Sequence, residues 1–334
     1  MNADVHTSVT RIANLEERSY RVQKRHRDRW ATGDYVFARV TQRPDPDVSI
    51  ENQRGRRVKL MEGETLVGAL GSRRATRELV GDWRAVEDDG DLSVMTGGGV
   101  LGRVTSSSPF SQTPVELEYE GHVVVDDEVV RMDDHGLTAE PTDWETPVVL
   151  VLGTSMSTGK TMSGRVLTRV LVEEGYDVAA CKLTGAGTYG DVLSIGVAGA
   201  EPIYDFVDAG LPTTVLPEET FRDAIKPILD SLQDADVIIA EIGASPLEPY
   251  NGMAALDLLD EQVAFTVLCA SDPYAVVGLE EACDCPPDLV TGIATNTTAG
   301  IDLLDQLTDC AALNLQEVAA KEPLRELLTD ALPE

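Results

Sequence analysis

Lysine is nearly absent from this chain: six residues (Lys24, Lys59, Lys160, Lys182, Lys226 and Lys321) stand beside 21 arginines and 58 acids in 334 residues. The resulting net charge of −31 repels phosphate backbones and excludes nucleic acid as a general partner. Histidine is also sparse, and His6, His26, His122 and His135 are scattered through the N-terminal part without forming a triad or a ligand pattern. The five cysteines all lie in the second half. Cys181 and Cys269 sit in apolar, strand-like runs and read as buried thiols, while Cys283-Asp284-Cys285 has no nearby histidine to complete a zinc site. No apolar run approaches the roughly 20 residues that span a bilayer, and no segment is repetitive or of low complexity. The first ten residues are polar and lack the apolar core of a secretory signal. These absences lead to the expectation of a cytoplasmic protein with no membrane partner.

What is present suffices for folded structure. A length of 334 residues suggests two domains, and 43% hydrophobic residues can fill their cores. The acids are spread along the chain and coexist with regular apolar periodicity, which argues against a disordered acidic tail. This composition resembles that of haloarchaeal proteins, in which molar salt screens the self-repulsion. The halophilic reading makes each retained lysine conspicuous.

The two halves differ in pattern. After a helical start, residues 1–140 carry short β-type runs at Tyr35–Thr41, Leu66–Leu70, Val100–Val104 and Val115–Tyr119, and a hairpin turning at Asp126-Asp127. A small barrel or sandwich is expected there, with a linker over 137–146. From Pro147, apolar runs at Val148–Leu152, Val178–Leu183, Thr213–Leu216, Val237–Ile242, Ala264–Ala270, Leu289–Thr295 and Ala312–Leu315 alternate with helical patterns. The expected architecture is therefore α/β: a mainly parallel sheet of about seven strands with helices on both faces, over 147–334, preceded by a smaller β-rich domain. Residues 1–146 hold 19 Lys+Arg and 27 Asp+Glu, against 8 and 31 in 147–334.

The strongest chemical signal follows the first strand of the second half. The run Gly153-Thr154-Ser155-Met156-Ser157-Thr158-Gly159-Lys160-Thr161 is a phosphate-binding loop in the order strand, loop, helix. Its backbone N–H groups and the helix N-terminus present donors to phosphate. Lys160 adds a cation at the β/γ-phosphates, the Thr161 hydroxyl can ligate Mg²⁺, and Gly159 permits close backbone approach. The usual spacing would place the first glycine at 154, and here it stands one residue earlier.

That displaced glycine makes the loop similar to that of dethiobiotin synthetase and its relatives. The chain resembles more closely, over roughly 147–315, the P-loop family that includes D-glutamate N-acetyltransferase. The resemblance is carried by the loop, by Lys182-Leu-Thr-Gly185, Ala200-Glu-Pro-Ile-Tyr-Asp-Phe-Val-Asp-Ala209, Glu241-Ile-Gly-Ala-Ser-Pro-Leu-Glu-Pro-Tyr250 and Gly292-Ile-Ala-Thr-Asn-Thr297. It implies a P-loop NTPase-type fold and a nucleotide-bearing ligand. The β-rich N-terminal part does not resemble the Rossmann-like domain of that family.

Other positions follow from the residues themselves. Asp236-Val-Ile-Ile-Ala-Glu241 is an apolar strand ending in an acid, and Glu241 is a candidate for magnesium binding or for orienting a nucleophile, with a strand-end capping acid as the plain alternative. Lys182, at the end of the second strand, is placed to meet phosphate or a substrate carboxylate. Asp191 follows the glycine-rich stretch Gly185–Gly190, expected to be a mobile loop, and is a second metal-ligand candidate or a turn residue. Asn296 is expected at a strand end, where its amide can meet a nucleobase edge; in dethiobiotin synthetase-like proteins an asparagine at the equivalent position contacts adenine. Glu248 and Tyr250, in the loop after the Glu241 strand, are weaker candidates for substrate contact. In the N-terminal part, Arg54, Arg56, Arg57 and Lys59, then Arg73, Arg74 and Arg77, suit either an anionic ligand or, more simply, internal ion pairing. The basic run Arg21–Arg29 reads as a solvated helix or arm.

Two functional classes remain open. The first is an enzyme that uses ATP, or GTP, with Mg²⁺ to activate or modify a small carboxylate, with Lys160, Lys182 and Glu241 as catalytic residues and Thr161, Glu241 and Asp191 as metal ligands. Acyl transfer from acetyl-CoA is a variant of it, since the CoA diphosphate suits the same loop. The second is a nucleotide-dependent adaptor or metallochaperone resembling the molybdopterin-guanine dinucleotide biosynthesis adaptor, in which Cys283 and Cys285 would matter. A homodimer is expected in either case.

Overall fold

The structure, a computed structural model, describes residues 2–140 and 144–333. The chain divides into two compact units. The first reaches to Thr138 and also takes in two segments from the C-terminal half, Gly185–Gly190 and Phe206–Pro217; the second holds Ala139–Thr184, Asp191–Asp205 and the chain from Glu218 onward. Of the linker expected over 137–146, residues 141–143 lie outside the described residues.

The first unit is built on a closed ring of strands. Thr65–Leu70 pairs with Tyr35–Val40, which pairs with Val115–Val125, then Asp91–Val94, then Val100–Ser107, and this last strand returns to Thr65–Leu70 in parallel. Alternation places Val36, Ala38, Leu66, Leu92, Leu101, Val115 and Leu117 in one core. The parallel closure is tight: a Cβ on Gly68 would lie 2.4 Å from Gly99 O, so only glycine fits. The hairpin turns where expected, with Asp126 and Asp127 both at positive φ, as a two-residue type I′ loop requires. The basic run departs from expectation. Arg21–Gln23 is a strand paired antiparallel with His122–Val124, and Arg27–Arg29 is a 3-10 turn. Period-2 alternation of Arg21, Val22 and Gln23 turns the polar side chains outward and overrides helical propensity.

The second unit is a seven-stranded parallel sheet with strands β1 (Val148–Gly153), β2 (Val178–Thr184), β3 (Ile203–Asp205), β4 (Val237–Ile242), β5 (Val263–Cys269), β6 (Leu289–Thr291) and β7 (Ala311–Ala312). Their spatial order is β3-β2-β4-β1-β5-β6-β7. Every residue of β1, β2 and β4 is buried, so both faces of the central sheet are covered. On one face Val149, Val151, Ile239 and Val267 meet Leu167 and Leu171 of α1 (Lys160–Glu174) and Leu324 and Leu328 of α7 (Lys321–Ala331). Helix α1 ends at Gly175, whose N–H bonds back to Leu171 O and Val172 O from a left-handed conformation. The remaining helices are α2 (Tyr189–Val197), α3 (Glu218–Asp230), α4 (Gly252–Leu259), α5 (Pro273–Cys283) and α6 (Thr298–Leu307).

Two expected strands are corrected. Thr213–Leu216 is no strand; it belongs to the first unit and makes an isolated bridge between Thr213 and Ala186. Pro212 and Pro217 bracket it and cannot donate to a ladder. The edge strand is instead Ile203–Asp205, parallel to Ala180–Lys182. The sixth strand stops at Thr291, because Gly292 adopts φ +87° and residues Ile293–Thr295 form a 3-10 turn.

Candidate phosphate-binding site

Strand β1 lies between β4 and β5, so the loop that leaves it runs between the ends of its neighbours. Thr154 N donates to Cys269 O of β5, and Ser271 N donates to Thr154 Oγ1. Ser157 and Gly159 take positive φ, and Thr158, wholly buried, donates through Oγ1 to Ser155 O. Lys160 folds back over the loop and donates to Ser155 O at 2.9 Å. This fold-back explains the displaced glycine: a Cβ on Gly153 would fall 2.7 Å from Lys160 Nζ and 2.8 Å from Thr158 Oγ1. Gly292 plays a matching part from β6, for its Cβ would lie 2.3 Å from Thr158 O. Helix α1 opens at Gly159 without a side-chain cap or an acid in its first turn, leaving its positive end to a ligand.

Behind the loop, charged side chains converge. Glu241, on β4, is buried in register with Val151 on one side and Lys182 on the other. Thr161 donates to Glu241 Oε2 at 3.5 Å. Burial raises the Glu241 carboxyl above the ordinary carboxylate range, while Lys182 and Lys160 pull against that rise. Burial likewise lowers the Lys160 ammonium, which Glu241 partly restores. For Lys182 burial acts in the same direction but is outweighed by Asp191 and Glu241, and its pKa ends above the ordinary lysine value. Lys182 is ion-paired with Asp191.

The structure therefore brings Lys160, Thr161, Lys182, Asp191 and Glu241 into one cluster. Asp191 lies in the first turn of α2 and not at the end of a free loop. Within the first unit, the stretch before it is held: Glu51 accepts from Tyr189 N and Gly190 N, and Thr96 donates to Gly187 O. One member was not picked out in sequence. Asp205, buried at the end of β3, is in register with Lys182 on the side opposite Glu241. In sequence, Ile203-Tyr204-Asp205 is too short a run to mark a strand, and only its pairing beside Lys182 brings Asp205 to the cluster.

Asn296 does not close a strand; it follows the 3-10 turn and is exposed. A cavity of about 180 Å³ beside the loop is lined by Ser157–Gly159, Met162, Ser163, Thr291–Ile293 and Asn314–Gln316, so the side-chain amides at its wall are those of Asn314 and Gln316 and not of Asn296. Tyr250 is buried, and Glu248 accepts from Ser245 N within its own loop. Burial pushes the Cys269 thiol up to about 12, as suits an unreactive core cysteine. Among the described residues no three His, Cys, Asp or Glu side chains group as a metal cluster, at Cys283 and Cys285 or elsewhere. No described helix is long and apolar enough to cross a membrane.

No protein-family model matches the chain, and no curated protein matches it. Among solved structures, the hydrogenase maturation factor HypB from Archaeoglobus fulgidus is similar over 57% of this chain and 91% of its own, with 14% identity and a TM-score of 0.40. A DUF1611 family protein from Anabaena variabilis is similar over 58% of this chain and 62% of its own, with 16% identity and a TM-score of 0.38. The signal recognition particle receptor FtsY from Elizabethkingia anophelis is similar over 58% and 67%, with 15% identity and a TM-score of 0.35.

Proposed function

We propose that the second unit binds a nucleoside triphosphate with magnesium on Gly153–Thr161 and uses it to activate or modify a small carboxylate. The observation that carries this reading is the placement of Thr161 Oγ1 beside the buried carboxylate of Glu241, with Lys160 on the same loop. A hydroxyl and a carboxylate within 3.5 Å fit a hard cation that takes few protein ligands and completes its shell with phosphate and water. Thr161 and Glu241 would hold Mg²⁺, which when bound neutralises charge on the phosphates. Asp191 is committed to Lys182 and is a ligand only after that ion pair opens.

The chain's own residues would do the rest by position and charge. Lys160 leaves Ser155 O and turns to the terminal phosphates, exchanging a neutral acceptor for charged ones. Lys182 is kept protonated by Asp191 and Glu241, and a substrate carboxylate that displaces Asp191 meets a full cation. The 180 Å³ cavity lies on the helix side of the loop and suits the base, with Asn314 and Gln316 at its wall. A CoA diphosphate offers the loop the same charges, so acyl transfer from acetyl-CoA is the variant to separate by experiment.

The test is to incubate the purified protein in molar KCl with Mg²⁺, ATP, GTP or acetyl-CoA and a panel of amino and dicarboxylic acids, and to follow products by mass spectrometry. Phosphorylated, ligated or acetylated product that disappears in Lys160→Ala supports the reading. No product across the panel overturns the enzyme assignment in favour of the adaptor class.

A further inference from the structure

A second concavity in the same unit, of about 700 Å³, has a charge at odds with its surroundings. Residues 147–334 hold only eight Lys and Arg against 31 acids, yet Arg165, Arg169 and Lys321 all line this groove, where Glu317 is the one acid. Arg169 and Lys321 share Glu173. Arg165 has no ion pair and no hydrogen bond to its guanidinium among the described residues, and its Nε is buried without an acceptor. The residue is half-buried, so the rest of its guanidinium is open to the groove, and among the described residues no acid of this acid-rich chain pairs with it.

Apart from Gln316, the rest of the wall is apolar. Met162, Val197 and Val318 line the groove and are exposed at 46%, 79% and 91%. The volume falls within the range of small-molecule sites. We infer that the groove is a binding site for a small molecule that carries an anionic group, phosphate, sulfonate or carboxylate, on an apolar body, with Arg165 as its anion contact. The groove shares Met162, Leu315 and Gln316 with the cavity beside the phosphate loop. The anion therefore has two sources, a distal phosphate on the ligand of the loop or a separate molecule.

The test uses 8-anilinonaphthalene-1-sulfonate as the apolar anion and N-phenyl-1-naphthylamine as its uncharged counterpart, titrated by fluorescence into the full chain in KCl. Arg165→Met keeps the apolar volume and removes the charge. The expected result is a loss of sulfonate affinity of at least tenfold in Arg165→Met, with the neutral probe unchanged and thermal melting as in the parent. Lys160→Ala leaves sulfonate binding intact, so failure of the groove and failure of the phosphate-loop reading are read separately. Displacement by coenzyme A but not by dephospho-coenzyme A assigns the anion to a distal phosphate, and displacement by neither assigns a separate molecule. Equal sulfonate affinity in parent and Arg165→Met, or an equal loss for both probes, overturns the proposal.

Discussion

Thr161 Oγ1 donates to Glu241 Oε2 across 3.5 Å, and the carboxylate it meets lies in register with Lys182 on the neighbouring strand. This pair joins the end of the phosphate loop to the only acid that closes β4. Glu241→Gln keeps the shape and removes the charge. It is expected to leave Mg-free nucleotide affinity within about threefold, and to lower Mg²⁺-dependent affinity or turnover by a factor of about 100, as loss of one charged ligand does. Isothermal titration with and without Mg²⁺ separates the two effects, and an unchanged Mg²⁺ dependence would remove Glu241 from the metal site.

Gly292 and Gly175 both adopt positive φ, but only Gly292 has an atom in the way. Gly292→Ala drives its Cβ into Thr158 O and should deform the loop, losing nucleotide binding and about 2 kcal/mol of stability. Gly175→Ala, with open space around its Cβ, should lose roughly 1 kcal/mol and bind nucleotide normally. Chemical denaturation and titration on the two variants check this, and equal binding in both would mean that the loop does not need the close approach.

With a net charge of −31, and only eight Lys and Arg against 31 acids in residues 147–334, stability should rise with salt. Thermal melts from 0.2 to 3 M KCl are expected to show a climbing midpoint. A flat series would assign the acids to a ligand or partner.

His6 is buried against Tyr20, and burial lowers its pKa below the ordinary value of 6.5 despite the opposing pull of Glu16. The unfolded state therefore binds more protons near that pH, and the contribution of His6 is complete above about 6.5 and lost as pH falls below it. His6→Gln should flatten the stability profile between pH 7 and 5.5. An unaltered slope would assign the acid sensitivity to other groups.

The strand, loop and helix over residues 148–174, the parallel sheet and the place of Glu241 near the end of β4 were legible because each is local. Val148–Leu152 and Val237–Ile242 are continuous apolar runs, and Gly159-Lys160-Thr161 needs its neighbours in sequence only. What was missed depends on long-range pairing. Asp205 acquires meaning only when β3 sets it opposite Lys182, and Thr213–Leu216 looked like a strand until its prolines and its place in the first unit removed it. Helix α7, for which no expectation was stated, carries Pro323, which is tolerated because it falls in the first turn. Asn296 was read at a strand end that Gly292 cuts short, while Asn314 lay inside the run Ala312–Leu315 expected as a strand and in fact follows the two-residue strand Ala311–Ala312.

Titration of ATP and GTP with Mg²⁺ in molar KCl, on the parent chain and Lys160→Ala, tests the central claim most directly. Among the described residues the one hydrogen bond of the Lys160 ammonium is to Ser155 O, so its removal should leave the melting temperature nearly unchanged. The account predicts saturable binding to the parent and a loss of at least a hundredfold in the variant, in keeping with a charge-assisted contact to phosphate. Equal affinity in both proteins, or no nucleotide binding by the parent, would contradict it.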